Sequence, residues 1–150
     1  CEAYGMTQDQ SIRQSAQASI SFMAATQDPV GGGWRYQPGY ESDTSVSGWY
    51  MMGLKSAELA GLQVPKKTFE GLERWLDQAQ ASADQRHLYR YNPYALDTPS
   101  TRHGRQINPT MTGVGLLMRL YMGWRRDNPD MVLGADYLLS NLPSNGTAER

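Results

Sequence analysis

Cysteine is all but absent. The 150 residues contain one, Cys1, which excludes an internal disulfide framework and any Cys-x-x-Cys metal knuckle. Neither sign of charge is in excess: 14 Lys and Arg face 15 Asp and Glu, for a net charge of -1. That balance offers no basic face for nucleic acid and no acidic disordered tail. No apolar stretch approaches the ~18 residues of a membrane span. Phenylalanine is scarce, with two residues against nine Tyr and four Trp. Tyr and Trp carry an apolar body and a polar tip, which suits the wall of a semi-polar cavity better than a dry core. The length is enough for a core, since a 150-residue domain buries about 70% of its unfolded surface. The opening Cys1-Glu2-Ala3-Tyr4-Gly5 is helix-like and has no targeting pattern behind it. Residues 1–150 therefore read as one segment of a longer protein, and the compartment, extracytoplasmic or otherwise, is not legible.

Apolar spacing predicts helices. Ile12, Ala16, Ile20 and Met23 mark one over Ser11 to Gln27, with Ser11 as its cap. Asp28-Pro29-Val30-Gly31-Gly32-Gly33 breaks it, and Trp34 to Gly39 forms an aromatic turn. Asp43 or Thr44 caps a second helix to about Ala60, closed by Gly61. A third covers about Lys66 to Ala81, with Phe69, Leu72, Trp75, Leu76 and Ala79 on one stripe. Residues Ser82 to Pro109 form a long polar connection, of a length that is uncommon without a function. A fourth helix spans Thr110 to Trp124 and a fifth Pro129 to Leu142. No segment alternates well enough to be a strand, so the fold class is all-α.

The text also repeats. Trp34-Arg35-Tyr36-Gln37-Pro38 returns as Tyr89-Arg90-Tyr91-Asn92-Pro93, and Ser47-Gly48 returns as Thr112-Gly113. Each unit is an aromatic turn, a Gly-containing helix, a short link and a second amphipathic helix. Such hairpins bury their faces only by stacking on neighbours. The helices at 44–60 and 110–124 are apolar on most sides, which marks them as inner. Those at 11–27 and 66–81 carry a wide polar face and read as outer. Gly48, Gly53, Gly113 and Gly115 cost ~1 kcal/mol each inside helices, which suits a crowded centre.

Gly31 to Gly39, followed by Asp43-Thr44-Ser45-Val46-Ser47-Gly48-Trp49, resembles the repeats of the prenyltransferase and squalene-cyclase superfamily. The likeness is nearest to the uncharacterised repeat proteins of that group found in planctomycete-type bacteria, and covers about residues 11 to 142. It implies helical hairpin repeats forming an arc or part of an α/α toroid, with inner helices around a central cavity. The segment holds about two and a half hairpins. An uncovered inner face would be a large apolar patch, so the rest of the parent chain or a second copy is expected to cover it.

The superfamily's chemistries need residues that this chain replaces. Class II cyclases protonate an alkene with an Asp-x-Asp-Asp acid, where Glu41-Ser42-Asp43-Thr44-Ser45 stands here. Asp43 reads instead as a helix cap. Protein prenyltransferases hold zinc with Asp-x-Cys and a distant His; Asp43-x-Ser45 has the spacing without the thiolate. The Cys-Gly-Glu-Gln type motif of thioester-bearing toroids is absent. No metal or cofactor is expected, and this segment is not expected to be catalytic. Its function reads as a scaffold that binds an unknown ligand or protein through the concave inner face, with no nucleic acid and no membrane span. The alternative is part of a terpenoid cyclase, a prenyltransferase or a toroidal polysaccharide lyase whose catalytic residues lie mostly elsewhere.

Candidate ligand-binding residues follow. Arg35 and Arg90, flanked by Trp34, Tyr36 and Tyr91, pair a cation with stacking rings for an anionic or sugar ligand. Equally, each Arg can satisfy helix-end carbonyls. Asp43 and Trp49 open the first inner helix. Arg102 and His103 lie in the loop that departs from the repeat, where insertions often carry a site, or where a solvated excursion would place them. His87 reads as surface, and Met51, Met52, Met111, Met118 and Met122 as core filler.

Overall fold

The computed structural model describes residues 1–143, so 144–150 of the expected segment lie outside the described residues. The chain is all-α. Among the described residues six helices follow in order: α1 (Glu2–Thr7), α2 (Gln10–Ala25), α3 (Thr44–Leu59), α4 (Lys66–Ala79), α5 (Pro109–Tyr121) and α6 (Pro129–Ser140). Among the described residues there is no strand, only isolated bridges between turns.

Caps explain the boundaries, and two correct the expected ones. Asp9, not Ser11, opens α2; its carboxylate accepts the Ser11 N–H at 2.9 Å, leaving Ser11 inside the first turn. Asn108 opens α5 by accepting the Met111 N–H at 2.8 Å. Pro109 then takes the first helical position, where its missing N–H goes unneeded. The same helix stops at Tyr121, short of Trp124, because Gly123 turns the chain at φ 102°. Asp43 caps α3 through the Val46 N–H at 2.7 Å.

Helix α3 is the hub. It packs on α1, α2 and α4, and most extensively on α5, which in turn packs on α6. Its buried edge, Met51, Leu54 and Ala57, meets Ile20 of α2, Leu72, Trp75 and Leu76 of α4, and Met118 of α5 in one apolar cluster. Met51, Met111 and Met118 fill this core, while Met52 lies exposed. Two helical glycines permit the approach of neighbours. A Cβ at Gly48 would stand 2.6 Å from Val114 Cγ1, and one at Gly115 would strike the Tyr89 ring. Gly113 meets only ordinary contact, at 4.0 Å from Leu138.

The long connection after α4 is stitched down rather than loose. The Arg90 N–H donates to the Ala79 carbonyl at 2.9 Å, and the Thr44 N–H donates to the Tyr91 carbonyl at 2.9 Å. A short 3-10 turn, Arg102–Arg105, follows, and Arg90 bridges Ile107 before α5 begins. These contacts bring the second aromatic turn against the N-terminus of α3.

Candidate functional site

The repeated pentapeptide places its members differently. Trp34 is buried: its ring stacks on Tyr50 at 4.6 Å, and its indole N–H donates to the Met23 carbonyl at 2.9 Å. It offers no face to a ligand. Arg90 donates to the carbonyls of Gln80 and Ala81, each at 2.8 Å, and so closes the end of α4. Arg35, at the equivalent position, turns to carboxylates instead. It pairs with Glu41, and its Nε stands 3.7 Å from Asp43 Oδ2.

Arg35 therefore borders a cleft of about 550 Å³ between the two aromatic turns and the loop. Tyr36, Tyr40, Glu41, Tyr91, Asn92, Tyr94 and His103 share its wall. Of the residues singled out from sequence, Arg35, Tyr36, Tyr91 and His103 come together here. Glu41 reaches Arg35 from a left-handed backbone conformation, φ 57°, which costs a non-glycine residue about 1 kcal/mol.

Asp43 lies behind this wall, fully buried. One carboxylate oxygen accepts the Val46 N–H; the other accepts the Tyr91 O–H at 2.8 Å. Burial pushes the Asp43 carboxyl above its ordinary range, while those hydrogen bonds and the Arg35 charge pull it back in part. The Tyr91 phenol is pushed up by burial and by the carboxylate it donates to. The arrangement holds Asp43 as an acceptor with both oxygens engaged. Among the described residues no three His, Cys, Asp or Glu side chains gather as a metal site requires.

A second concavity runs between α3 and α5. It holds about 260 Å³ and is lined by Gly48, Trp49, Met52, Met111, Val114, Leu117, Met118 and Tyr121, with Ser45 and Thr110 as the polar members. Trp49 is 71% exposed there. The candidates thus divide between two places: Trp49 lies in this groove, apart from the aromatic-turn cleft. Arg102 is exposed and lines neither.

Several residues escaped the sequence reading. Tyr40, Glu41, Asn92 and Tyr94 complete the cleft. A signal for Tyr40 and Tyr94 was present, because each repeated turn continues from its proline to a tyrosine, Pro38-Gly39-Tyr40 and Pro93-Tyr94. Arg119 was also missed. It is buried in α5, where it donates to Tyr89 Oη at 3.1 Å, pairs with Asp77 and lies 5.0 Å over the Trp124 ring. His87, read as surface, is half-buried, and its Nδ1 has no partner among the described residues.

No protein-family model, curated protein or solved structure matches this chain.

Proposed function

We propose that this chain is a non-catalytic binding scaffold of the prenyltransferase and squalene-cyclase repeat type. In this reading the hairpins form an arc, α3 and α5 are its inner helices, and the groove between them is part of a concave ligand-binding face. The observation that carries the reading is Trp49, a large apolar ring left 71% exposed beside Met52 and Leu117 in a groove with few polar groups. Exposed apolar surface of this kind marks interaction sites. Its 260 Å³ lies just below the ~300–1,000 Å³ of small-molecule sites, which favours a slender apolar chain.

Matched hydrogen bonds support the repeat. The Trp34 N–H donates to Ser47 Oγ at 2.9 Å, and the Tyr89 N–H donates to Thr112 Oγ1 at 3.2 Å. Asp43 and Asn108 cap α3 and α5 in the same way, each through the N–H three residues on. The engagement of Asp43 supports a structural carboxylate rather than a proton donor. The rest of a parent chain, or a second copy, would extend the face.

Thermal-shift titration with a squalene analogue and with farnesyl diphosphate tests the proposal. A ligand at 100 times its dissociation constant adds about 2.7 kcal/mol to stability. Trp49→Ala removes that shift and leaves the unliganded chain within about 0.5 kcal/mol, because the ring is exposed. Silence from both ligands, or an undiminished shift in the variant, would overturn the reading.

A further inference from the structure

The aromatic-turn cleft shares no lining residue with the α3–α5 groove, and the proposed scaffold function leaves it unused. Tyr36, Tyr40 and Tyr94 are 79%, 62% and 65% exposed around it. The core packs none of these rings. Three accessible aromatic faces about one concavity of 550 Å³ are what a flat, partly apolar ligand needs.

Charge selects the ligand class. Arg35 is answered by Glu41 at hydrogen-bond range and by Asp43 behind it, so its charge is not left over for an anion. Equally, Glu41 is paired with Arg35, and Asp43 is buried with both oxygens engaged, so no carboxylate is left free to hold a cation among the tyrosines. What remains is a polar, uncharged ligand. The Arg35–Glu41 pair sets planar donors beside a carboxylate acceptor. Asn92 spends its Oδ1 on the Tyr94 N–H at 2.8 Å, which fixes the side chain's plane. Pyranose rings match this chemistry: their C–H faces stack on aromatic rings, and their hydroxyls both donate and accept.

We propose that this cleft is a binding site for an uncharged oligosaccharide. Tyr36 and Tyr94 are the stacking platforms, and the Arg35–Glu41 pair reads the ring hydroxyls. The cleft is open at the surface, so a chain can lie along it.

Calorimetric titration of the full chain with cellohexaose, xylohexaose, mannohexaose and chitohexaose tests the site, with oligogalacturonate and choline as charged comparators. At least one neutral hexaose binds, more tightly than either comparator. The double variant Tyr36→Ala, Tyr94→Ala weakens that binding about tenfold or more, equivalent to roughly 1.4 kcal/mol, with an unchanged unfolding midpoint. Trp49→Ala binds the sugar like the parent, which separates this site from the groove. No binding by any of the four neutral sugars, a preference for a charged comparator, or full affinity in the double variant would each overturn the proposal.

Discussion

Asp43 carries the clearest single-residue consequence. Its carboxyl is raised above the ordinary 3.8, mainly by burial, so the folded chain holds that proton more tightly than the unfolded chain. The contribution to stability is fully present below the ordinary value and is lost as pH rises through the native one. Asp43→Asn keeps an N-cap, so at neutral pH the variant is within about 1 kcal/mol of the parent. As pH falls through the carboxylate range, the parent gains on the variant. Urea denaturation of both between neutral and acid pH measures this. A parent that instead loses ground to the variant on acidification would mean that the hydrogen bonds from Val46 and Tyr91 outweigh burial. The cap was legible because it joins neighbours in sequence. The Tyr91 partner was not, because nothing local points to a residue 48 positions away. Arg35 and Arg90 make the same point. Alike in context, they differ in what the fold sets beside them: a salt-bridge partner for one, two carbonyls just past the end of α4 for the other.

Helices were legible where apolar spacing was strong, as along Leu72, Trp75, Leu76 and Ala79 of α4, all buried. Two starts moved by one residue because Asp9 and Asn108 capture the first free N–H groups, and the end of α5 moved by three because Gly123 turns the chain. Gly48, Gly113 and Gly115 look alike in sequence, and only packing separates them. Gly113→Ala adds a methyl where the nearest atom is 4.0 Å away, and should stabilise α5 by up to about 1 kcal/mol. Gly115→Ala, two positions on, drives a methyl into the Tyr89 ring. There overpacking of about 1–3 kcal/mol outweighs the same gain in helix propensity. Gly48→Ala behaves like Gly115→Ala, because Val114 stands 2.6 Å from the added carbon. Denaturant midpoints for the three variants order them. A stabilised Gly115→Ala would show that Tyr89 gives way and that the α5 contact is looser than described.

Taken whole, the molecule has one interior. The apolar cluster runs from Tyr4 of α1 to Met131 of α6 and takes in every helix between. Unfolding followed by far-ultraviolet circular dichroism and by tryptophan fluorescence should therefore give coincident transitions. A separate early loss of helix would mean that a terminal helix is held apart from the rest. That the chain is all-α was legible from periodicity. The path of residues 82–109 was not, because a few long-range hydrogen bonds, from Thr44 of α3 to Tyr91 and from Arg90 to Ala79 of α4, anchor its many local turns. The cleft was only half visible for the same reason: it is assembled from two turns and a loop that no local pattern unites.

The four indoles divide the molecule optically. Trp34 and Trp75 are sealed in the interior at 2% and 1% exposure, and Trp124 lies under Arg86 and Arg119. Trp49 is the most open to water, at 71% exposure, and Trp124 is half-buried. Folded, the chain thus carries one red-shifted, quencher-accessible emitter on the α3–α5 surface, two sealed ones and one partly shielded. Whatever settles on that surface changes the colour of the light.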